Sequence, residues 1–199
     1  MTPILQEAEL DALTEVCSIG MGHAATALSQ LMGKGVSIEV PRLQMLDPAL
    51  LAERFDSRQV IGLQLQILGN VRGSMLILLQ DPDARQMVEL LLGRPETTAA
   101  PFSSLELSTL NEVGNIVASA CLNALGVMLK MTLLPSVPTL VTGKADEVLT
   151  RCIGEPPSGE GILTIDTVFS IGEALCGGSI LLMPEPASLG AMLAALGAS

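Results

Sequence analysis

Two stretches of the chain, 97 residues apart, carry the same spaced pattern, and this repeat constrains the fold more than any other feature. Each copy has an acidic or hydroxyl residue, a glutamate, an amide or hydroxyl residue, and a proline, separated by three, two and twenty-two residues. The second copy is Ser108, Glu112, Asn115 and Pro138, and the first is Asp11, Glu15, Ser18 and Pro41. The most important difference between the copies is that the first has Ser18 at the position where the second has Asn115. The repeat predicts two halves of similar structure, one with an intact candidate site and one with an altered site.

The predicted elements follow the same order in both halves: a long helix, a strand, a loop, two strands and a helix. Apolar periodicity, turn residues and helix-boundary residues define these segments. In the first half they cover 6–31, 36–41, 60–69, 73–80 and 83–93, and in the second half 105–128, 132–141, 161–171, 177–185 and 186–196. We therefore expect one domain over 1–199, made of two repeats (about 6–93 and 105–197) joined by a linker at 94–104.

The predicted strands are apolar on both faces, which is typical of a sheet covered by helices on each side. Gly69-Asn70 lies between two of these strands and indicates a hairpin. Joining two such halves predicts an α+β fold with a pseudo-two-fold internal duplication. Its mainly antiparallel six-stranded sheet is flanked by four helices, of which two are exposed signature helices.

Each signature falls on one face of its predicted long helix. At 100° per residue, Ser108, Glu112 and Asn115 share a narrow stripe, which we name the second ridge. Asp11, Glu15 and Ser18 form the corresponding first ridge on the other helix. The predicted core faces lie opposite, at Leu110, Val113, Val117, Cys121, Ala124 and Met128, and at Leu13, Val16, Gly20, Ala24, Ala27 and Leu31. A polar outer face is usual for an amphipathic helix, but repetition at identical spacing favours a functional surface.

Composition excludes several classes of partner and site. The net charge is −11 and no Lys/Arg run occurs, which argues against nucleic acid and anionic membranes as partners. The acidic N-terminal residues do not resemble a signal peptide, and no apolar run reaches the ~18 residues of a membrane span, so we expect no membrane insertion. Four cysteines without C-x-x-C spacing and the lone His23 predict no metal cluster. Reduced cysteines and a cytoplasmic location are the expectation.

These residues resemble the CheC/CheX/FliY family, phosphatases that act on the chemotaxis response regulator CheY. That family's signature is Asp or Ser, three residues, Glu, two residues, Asn, twenty-two residues and Pro, which the second copy matches in full. The surrounding NEVGNIVASACLNALG and GHAATALSQLMGK are also similar to the family. Two signatures in a chain of this length resemble its CheC branch, because CheX has one signature and FliY carries additional flagellar-switch segments.

The resemblance implies an aspartyl-phosphate phosphatase that docks on a phosphorylated CheY-like receiver domain. Asn115 would orient the attacking water, and Glu112 would pair with a receiver lysine, with Ser108 and Pro138 in support. Ser18 is shorter than the expected asparagine, which puts catalysis by the first site (Asp11, Glu15, Ser18 and Pro41) in doubt. No cofactor of the protein's own is expected, since Mg²⁺ would be bound by the receiver.

Two other functions are consistent with parts of the sequence. The chief alternative is a non-catalytic adaptor that binds a receiver domain or a CheD-like deamidase. A nucleotide site at Gly20-x-Gly22-x-x-Ala25 is disfavoured because no strand precedes it and the glycines lie inside a predicted helix.

Overall fold

The computed structural model describes residues 7–55, 58–93, 101–154 and 162–197, which contain six helices and seven strands. In chain order they are α1 Glu7–Met32, β1 Val36–Leu46, α2 Pro48–Phe55, β2 Gln59–Gly69, β3 Gly73–Gln80, α3 Asp81–Leu92, α4 Ser104–Leu129, β4 Leu133–Pro135, β5 Thr139–Lys144, α5 Ala145–Ile153, β6 Ile162–Ile171, β7 Ala174–Pro184 and α6 Pro186–Gly197. Most of the linker predicted at 94–104 lies outside the described residues.

All seven strands belong to one antiparallel sheet, ordered β1-β6-β7-β3-β2-β4, with β5 also paired to β2. The order is symmetric about the β3–β7 pair in the middle. The first strand of each half pairs with a strand of the other half, β1 with β6 and β4/β5 with β2. The predicted fold class, an α+β fold with a pseudo-two-fold duplication and a flanked antiparallel sheet, is confirmed.

Helices cover both faces of the sheet, as the two-sided apolar strands predict. On one face, α1, α3, α4 and α6 contribute to the larger cluster of buried side chains. On the other, α2 and α5 pack through a smaller cluster that includes Leu51, Phe55 and Val148. The long helices that carry the two ridges therefore lie on the same side of the sheet.

The two long helices approach each other closely at Gly20 of α1. A Cβ atom at Gly20 would lie 2.9 Å from Ala124 Cβ and 3.0 Å from the backbone oxygen of Ala120. Gly114 of α4 lies equally close to the sheet, since a Cβ atom there would be 2.7 Å from Leu63 Cδ1. These glycines let α4 pack closely against both α1 and the sheet, and they fix which face of α4 points outward.

The predicted core face of α4 is confirmed, with Leu110, Val113, Val117 and Cys121 buried. In α1, Leu13 and Ala24 are buried as predicted, but the assignment of Ala27 and Leu31 to the core is wrong, because both are exposed. Over the last turns of α1 the buried stripe passes through Ala25 and Leu28 instead. Toward the end of α1 the buried face of the helix therefore differs from the predicted core face.

Local signals explain where α4 begins and ends. Ser103 and Glu106 form a capping box, in which the Ser103 N–H donates to Glu106 Oε2 at 2.6 Å and the Glu106 N–H donates to Ser103 Oγ at 3.4 Å. Lys130 ends the helix in the left-handed conformation, with φ 53°. Within the described residues α4 is the one helix whose length and average composition would allow it to cross a membrane, although polar residues interrupt its apolar sequence. Half of its most apolar window is buried against the rest of the fold.

The predicted strand at 132–141 is divided into β4 and β5, which raises the strand count from the predicted six to seven. Pro135 pairs with Ile67 and Thr139 with Gln64, so three residues of this edge face two residues of β2. The extra residue makes a β-bulge, and Pro138 lies within it. Proline has no N–H to donate to a neighbouring strand, and it is tolerated there because a residue in a bulge is not required to donate one.

Two short helices, α2 and α5, occupy segments that the sequence predicts to be loops. Pro48 stands at the first position of α2, where its fixed φ favours a helix start. Asp146 and Glu147 lie in the first turn of α5 and Arg151 in its last turn, which matches the helix dipole. Helices of eight and nine residues are shorter than the window over which helical periodicity is read, so these two escape prediction.

Candidate functional site

The second ridge is an exposed line of polar side chains along α4. Ser108, Glu112 and Asn115 are all exposed, and the helical rise places the first and last of them roughly 10 Å apart along the axis. Gly114, directly before Asn115, faces the sheet over Leu63. Because that contact sets the rotation of the helix, Asn115 is held on the outward side, available to a partner.

Pro138 lies on the edge strand next to the same part of α4. Leu63, over which Gly114 sits, pairs with Leu140, and Gln64 pairs with Thr139. Pro138 is therefore two residues, or about 7 Å of strand, from the position opposite Leu63. The fold brings the second copy of the signature together from one helix and the bulge of one edge strand.

The first ridge is also exposed, at Asp11, Glu15 and Ser18 of α1. The Ser18 hydroxyl donates a hydrogen bond to the backbone oxygen of Thr14 at 2.8 Å. Serine in a helix commonly makes this bond, and it directs the hydroxyl proton to the helix backbone rather than outward. The first ridge thus presents two carboxylates without an outward-facing amide group.

Pro41 also lies in an edge-strand bulge. In β1, Val40 and Pro41 face the single residue Thr167 of β6, because Glu39 pairs with Val168 and Arg42 with Asp166. Both signature prolines are therefore preceded by valine and lie in an extra-residue bulge on opposite edges of the sheet. The structural requirement for a proline at this spacing is the same in the two copies.

The helices that carry the ridges are acidic. Over their full lengths, Glu7–Met32 and Ser104–Leu129, they contain no lysine or arginine. Their acidic residues are Glu7, Glu9, Asp11 and Glu15 on α1 and Glu106 and Glu112 on α4. A partner surface that approaches either ridge meets negative charge and favours complementary cations.

The described residues contain no group of three or more His, Cys, Asp or Glu side chains placed to hold a metal ion. The four cysteines are buried and unpaired. The neighbouring Cys121 thiol and burial raise the pKa of Cys17 well above its usual value. Burial raises the pKa of Cys152, and burial together with Asp83 raises the pKa of Cys176 to about 11. Raised pKa values keep the thiols of Cys17, Cys152 and Cys176 protonated at neutral pH, so these three are poor nucleophiles.

Two exposed apolar residues beside the ridges are absent from the predicted site. Ile19, next to Ser18, is 53% exposed, and Val137, next to Pro138, is 85% exposed. A sequence signal for the second exists, since valine precedes the proline in both copies. Its exposure could not be predicted because the bulge that turns it outward has no signal of its own.

The chain is similar in sequence and in fold to known proteins. The model of the CheC-like family matches residues 9–45 and 105–142, the two stretches that hold the signatures. The chain is 30% identical over 202 residues to "CheY-P phosphatase CheC" of Bacillus subtilis, covering 98% of this chain and 97% of that protein. It matches the crystal structure of Thermotoga maritima FliY with a TM-score of 0.82 at 18% identity, covering 98% and 99% of the two chains. The CheX–CheY–BeF3–Mg²⁺ complex of Borrelia burgdorferi contains a chain of similar fold, with a TM-score of 0.51 at 16% identity, covering 83% of this chain and 96% of that one.

Proposed function

Because this chain belongs to the CheC-like family, we propose that it is a protein phosphatase that hydrolyses the aspartyl phosphate of a CheY-like receiver domain. The observation that carries this proposal is the complete second ridge, which is exposed on a helix whose rotation is fixed by packing. The Bacillus subtilis protein that this chain matches over nearly its whole length is a CheY-P phosphatase. A protein of similar fold forms a complex with CheY.

The reaction breaks the bond between the receiver's aspartate oxygen and phosphorus, and forms a new bond from a water oxygen to phosphorus. Transfer of the phosphoryl group needs an attacking water in line with the leaving carboxylate of the receiver. The Asn115 amide has one group that accepts and one that donates hydrogen bonds, so it can hold that water without acting as a strong base. The water's proton passes to phosphate or solvent, and no covalent intermediate on this protein is needed.

Glu112 lies three residues before Asn115 on the same exposed line. In the proposal its carboxylate pairs with a cation on the receiver, which the family resemblance suggests is a lysine. A charge-assisted hydrogen bond of this kind fixes direction as well as distance, and it would place Asn115 over the phosphoryl group. Ser108, one turn before Glu112, is a further contact at the same interface, and Pro138 shapes the neighbouring strand edge.

The protein supplies no cofactor of its own in this mechanism, and the Mg²⁺ that neutralises phosphoryl charge is bound by the receiver. The role left to the chain is to position a water and to fix the orientation of its partner. That division suits the exposed carboxylate and amide that the second ridge presents.

The first ridge is proposed to bind without accelerating hydrolysis. It has the exposed carboxylates of Asp11 and Glu15, but Ser18 directs its hydroxyl to Thr14. This feature favours an adaptor function beside the catalytic one, with a receiver domain or a CheD-like deamidase as the predicted partner. A pull-down with Asp11→Asn/Glu15→Gln made in a Glu112→Gln background, where docking through the second ridge is weakened, tests it, since capture equal to that of Glu112→Gln alone would contradict binding through the first ridge.

The experiment that tests the main proposal follows the decay of a phosphorylated CheY-type receiver, alone, with the wild-type protein and with Asn115→Ala. We expect faster decay with the wild type and little or no acceleration with the variant. Unchanged decay with the wild type would contradict the phosphatase function. Equal acceleration by the variant would contradict the role of Asn115.

A further inference from the structure

Val137 is the most exposed large apolar side chain of the described residues, at 85%. It stands in the bulge of the edge strand, where Val137 and Pro138 together face Leu65 of β2. Ser136 occupies the preceding position, donating its N–H to the Gln66 oxygen and accepting the Gln66 N–H at its Oγ, each at 2.9 Å. These bonds anchor the strand up to Ser136, so the bulge holds Val137 at a defined place on the edge.

The bulge presents Val137 on the side of the sheet where α4 lies. Leu65 belongs to the larger core cluster beneath the long helices, and the bulge residues opposite it share that face. Val137 is three residues, or roughly 10 Å of strand, from the position opposite Leu63, over which Gly114 is packed. At the other end of this edge Leu133 lies 3.7 Å from the Cβ position of Gly126, so the exposed Val137 lies between the levels of Gly114 and Gly126 along α4, at the border of the second ridge.

The corresponding residue of the other half is arranged differently. Val40 occupies the same position of the β1 bulge but is only half-buried rather than exposed. The half that keeps the signature asparagine thus has an exposed valine in its bulge, whereas the corresponding valine of the half with Ser18 is half-buried. Exposure of one valine is common and Val127 is exposed too, so the link to a partner is the difference between the halves: the exposed valine occurs in the half that keeps the asparagine.

We infer that Val137, supported by Pro138, forms the apolar part of the surface on which the receiver domain docks beside Asn115. This inference rests on the proposed function, because it takes the same receiver as the occupant. A standard protein interface covers about 800 Å² per partner and is about 30 Å across, so a receiver centred on Asn115 reaches Val137. The interface then has a polar line along α4 and an apolar contact at its edge, as typical interfaces do.

The chain offers a matched control at Val127 of α4. It too is a valine with 79% exposure, but it is twelve residues from Asn115, about 18 Å along the helix axis. The same change of valine to threonine replaces one methyl group by a hydroxyl at either position, with almost no change of volume. Since both side chains are exposed, neither variant is expected to disturb folding.

The test measures receiver dephosphorylation against receiver concentration for the wild type, Val137→Thr, Val137→Asp and Val127→Thr. We expect Val137→Thr to raise the half-saturating receiver concentration about 3- to 10-fold, with a smaller effect on the saturated rate. Val137→Asp should raise the half-saturating concentration further. For Val127→Thr that concentration should stay within about 1.5-fold of the wild-type value. Equal values for Val137→Thr and Val127→Thr would overturn the inference.

A binding titration separates failure of this inference from failure of the proposed function. The receiver is loaded with beryllofluoride and titrated with each variant, which measures docking without hydrolysis. If the wild type binds but does not speed decay, the phosphatase function fails, and weaker binding of Val137→Thr alone still supports the inference. If the Val137 variants instead abolish self-association of this chain without weakening receiver binding, the occupant is a second copy and the inference is overturned.

Discussion

Replacing Gly20 with alanine tests the close contact between the two long helices that carry the ridges. Gly20 is buried in the middle of α1, where alanine would ordinarily stabilise a helix by about 1 kcal/mol. Here the added methyl group would be 2.9 Å from Ala124 Cβ and 3.0 Å from the backbone oxygen of Ala120. Neither neighbour is the end of a flexible side chain, so the helices must move apart.

The magnitude follows from two opposing terms. Overpacking of this kind costs 1 to 3 kcal/mol, and two close contacts that include a backbone atom place Gly20→Ala near the upper end. After the gain in helix propensity, we expect the free energy of unfolding to fall by about 2 kcal/mol. Gly22→Ala is the control, because it lies on the same helix with nothing within 4 Å of the added Cβ atom, and it should raise the free energy of unfolding by about 0.5 to 1 kcal/mol.

Urea unfolding followed by circular dichroism measures both changes, since the chain has neither tryptophan nor tyrosine as a fluorescent reporter. With a slope of about 2 kcal/mol per molar urea, Gly20→Ala should lower the midpoint by about 1 M and Gly22→Ala should raise it slightly. A Gly20→Ala midpoint equal to or above that of Gly22→Ala would refute the close helix contact.

Three further results are expected. If the first ridge still reaches a receiver, Ser18→Asn should raise the rate of receiver dephosphorylation by up to about twofold, because a second catalytic site would then act. Ser18→Ala should change that rate little. A loss from Ser18→Ala as large as that from Asn115→Ala would contradict the account with one catalytic site. A thiol reagent at pH 8 should leave the four buried cysteines unmodified in the folded protein and label all four in denaturant; rapid labelling of the folded chain would contradict their burial. Burial and Asp83 raise the pKa of Cys176 from 9.0 to about 11, so the folded state keeps that proton. Its contribution to stability is therefore complete below pH 9 and is lost as the pH rises toward 11, and Cys176→Ala should reduce the fall in urea midpoint over that range.

The parts of the fold that follow local rules could be predicted from sequence. The long helices α1 and α4 and the hairpin of β2 and β3 begin and end within a residue or two of their predicted bounds, because apolar periodicity runs the length of each element. The helix α3 is equally regular, with Pro82 in its first turn and Gly93 left-handed after its end. Repetition of the pattern then supplied the pseudo-symmetry, which no single element would have indicated.

What could not be predicted depends on contacts distant in sequence. The pairing of β1 with β6, rather than with a strand of its own half, joins residues such as Val36 and Ile171, and no local pattern encodes that choice. The exposure of Leu31 goes with the shift of the buried stripe to Ala25 and Leu28, which periodicity alone does not specify. The helices α2 and α5 were not predicted because they are too short to show helical periodicity, although Pro48 indicated a possible helix start.

The candidate site divides in the same way. The exposed line of Ser108, Glu112 and Asn115 follows directly from helical spacing, and the structure places all three on the surface. The position of Pro138 beside that line depends on the register of β5 with β2, and the outward turn of Val137 depends on a one-residue bulge. Neither is encoded by spacing along the chain, so the strand-edge half of the site required the structure. The chemical roles of these residues remain predictions.

The central claim is that Asn115 supplies catalysis while Glu112 supplies docking, and one measurement separates the two. Dephosphorylation of the receiver is followed over a range of protein concentrations for the wild type, Asn115→Ala and Glu112→Gln. We predict that Asn115→Ala lowers the rate at saturation at least tenfold with little change in the half-saturating concentration, and that Glu112→Gln mainly raises the half-saturating concentration. A saturated rate for Asn115→Ala equal to that of the wild type would contradict the account.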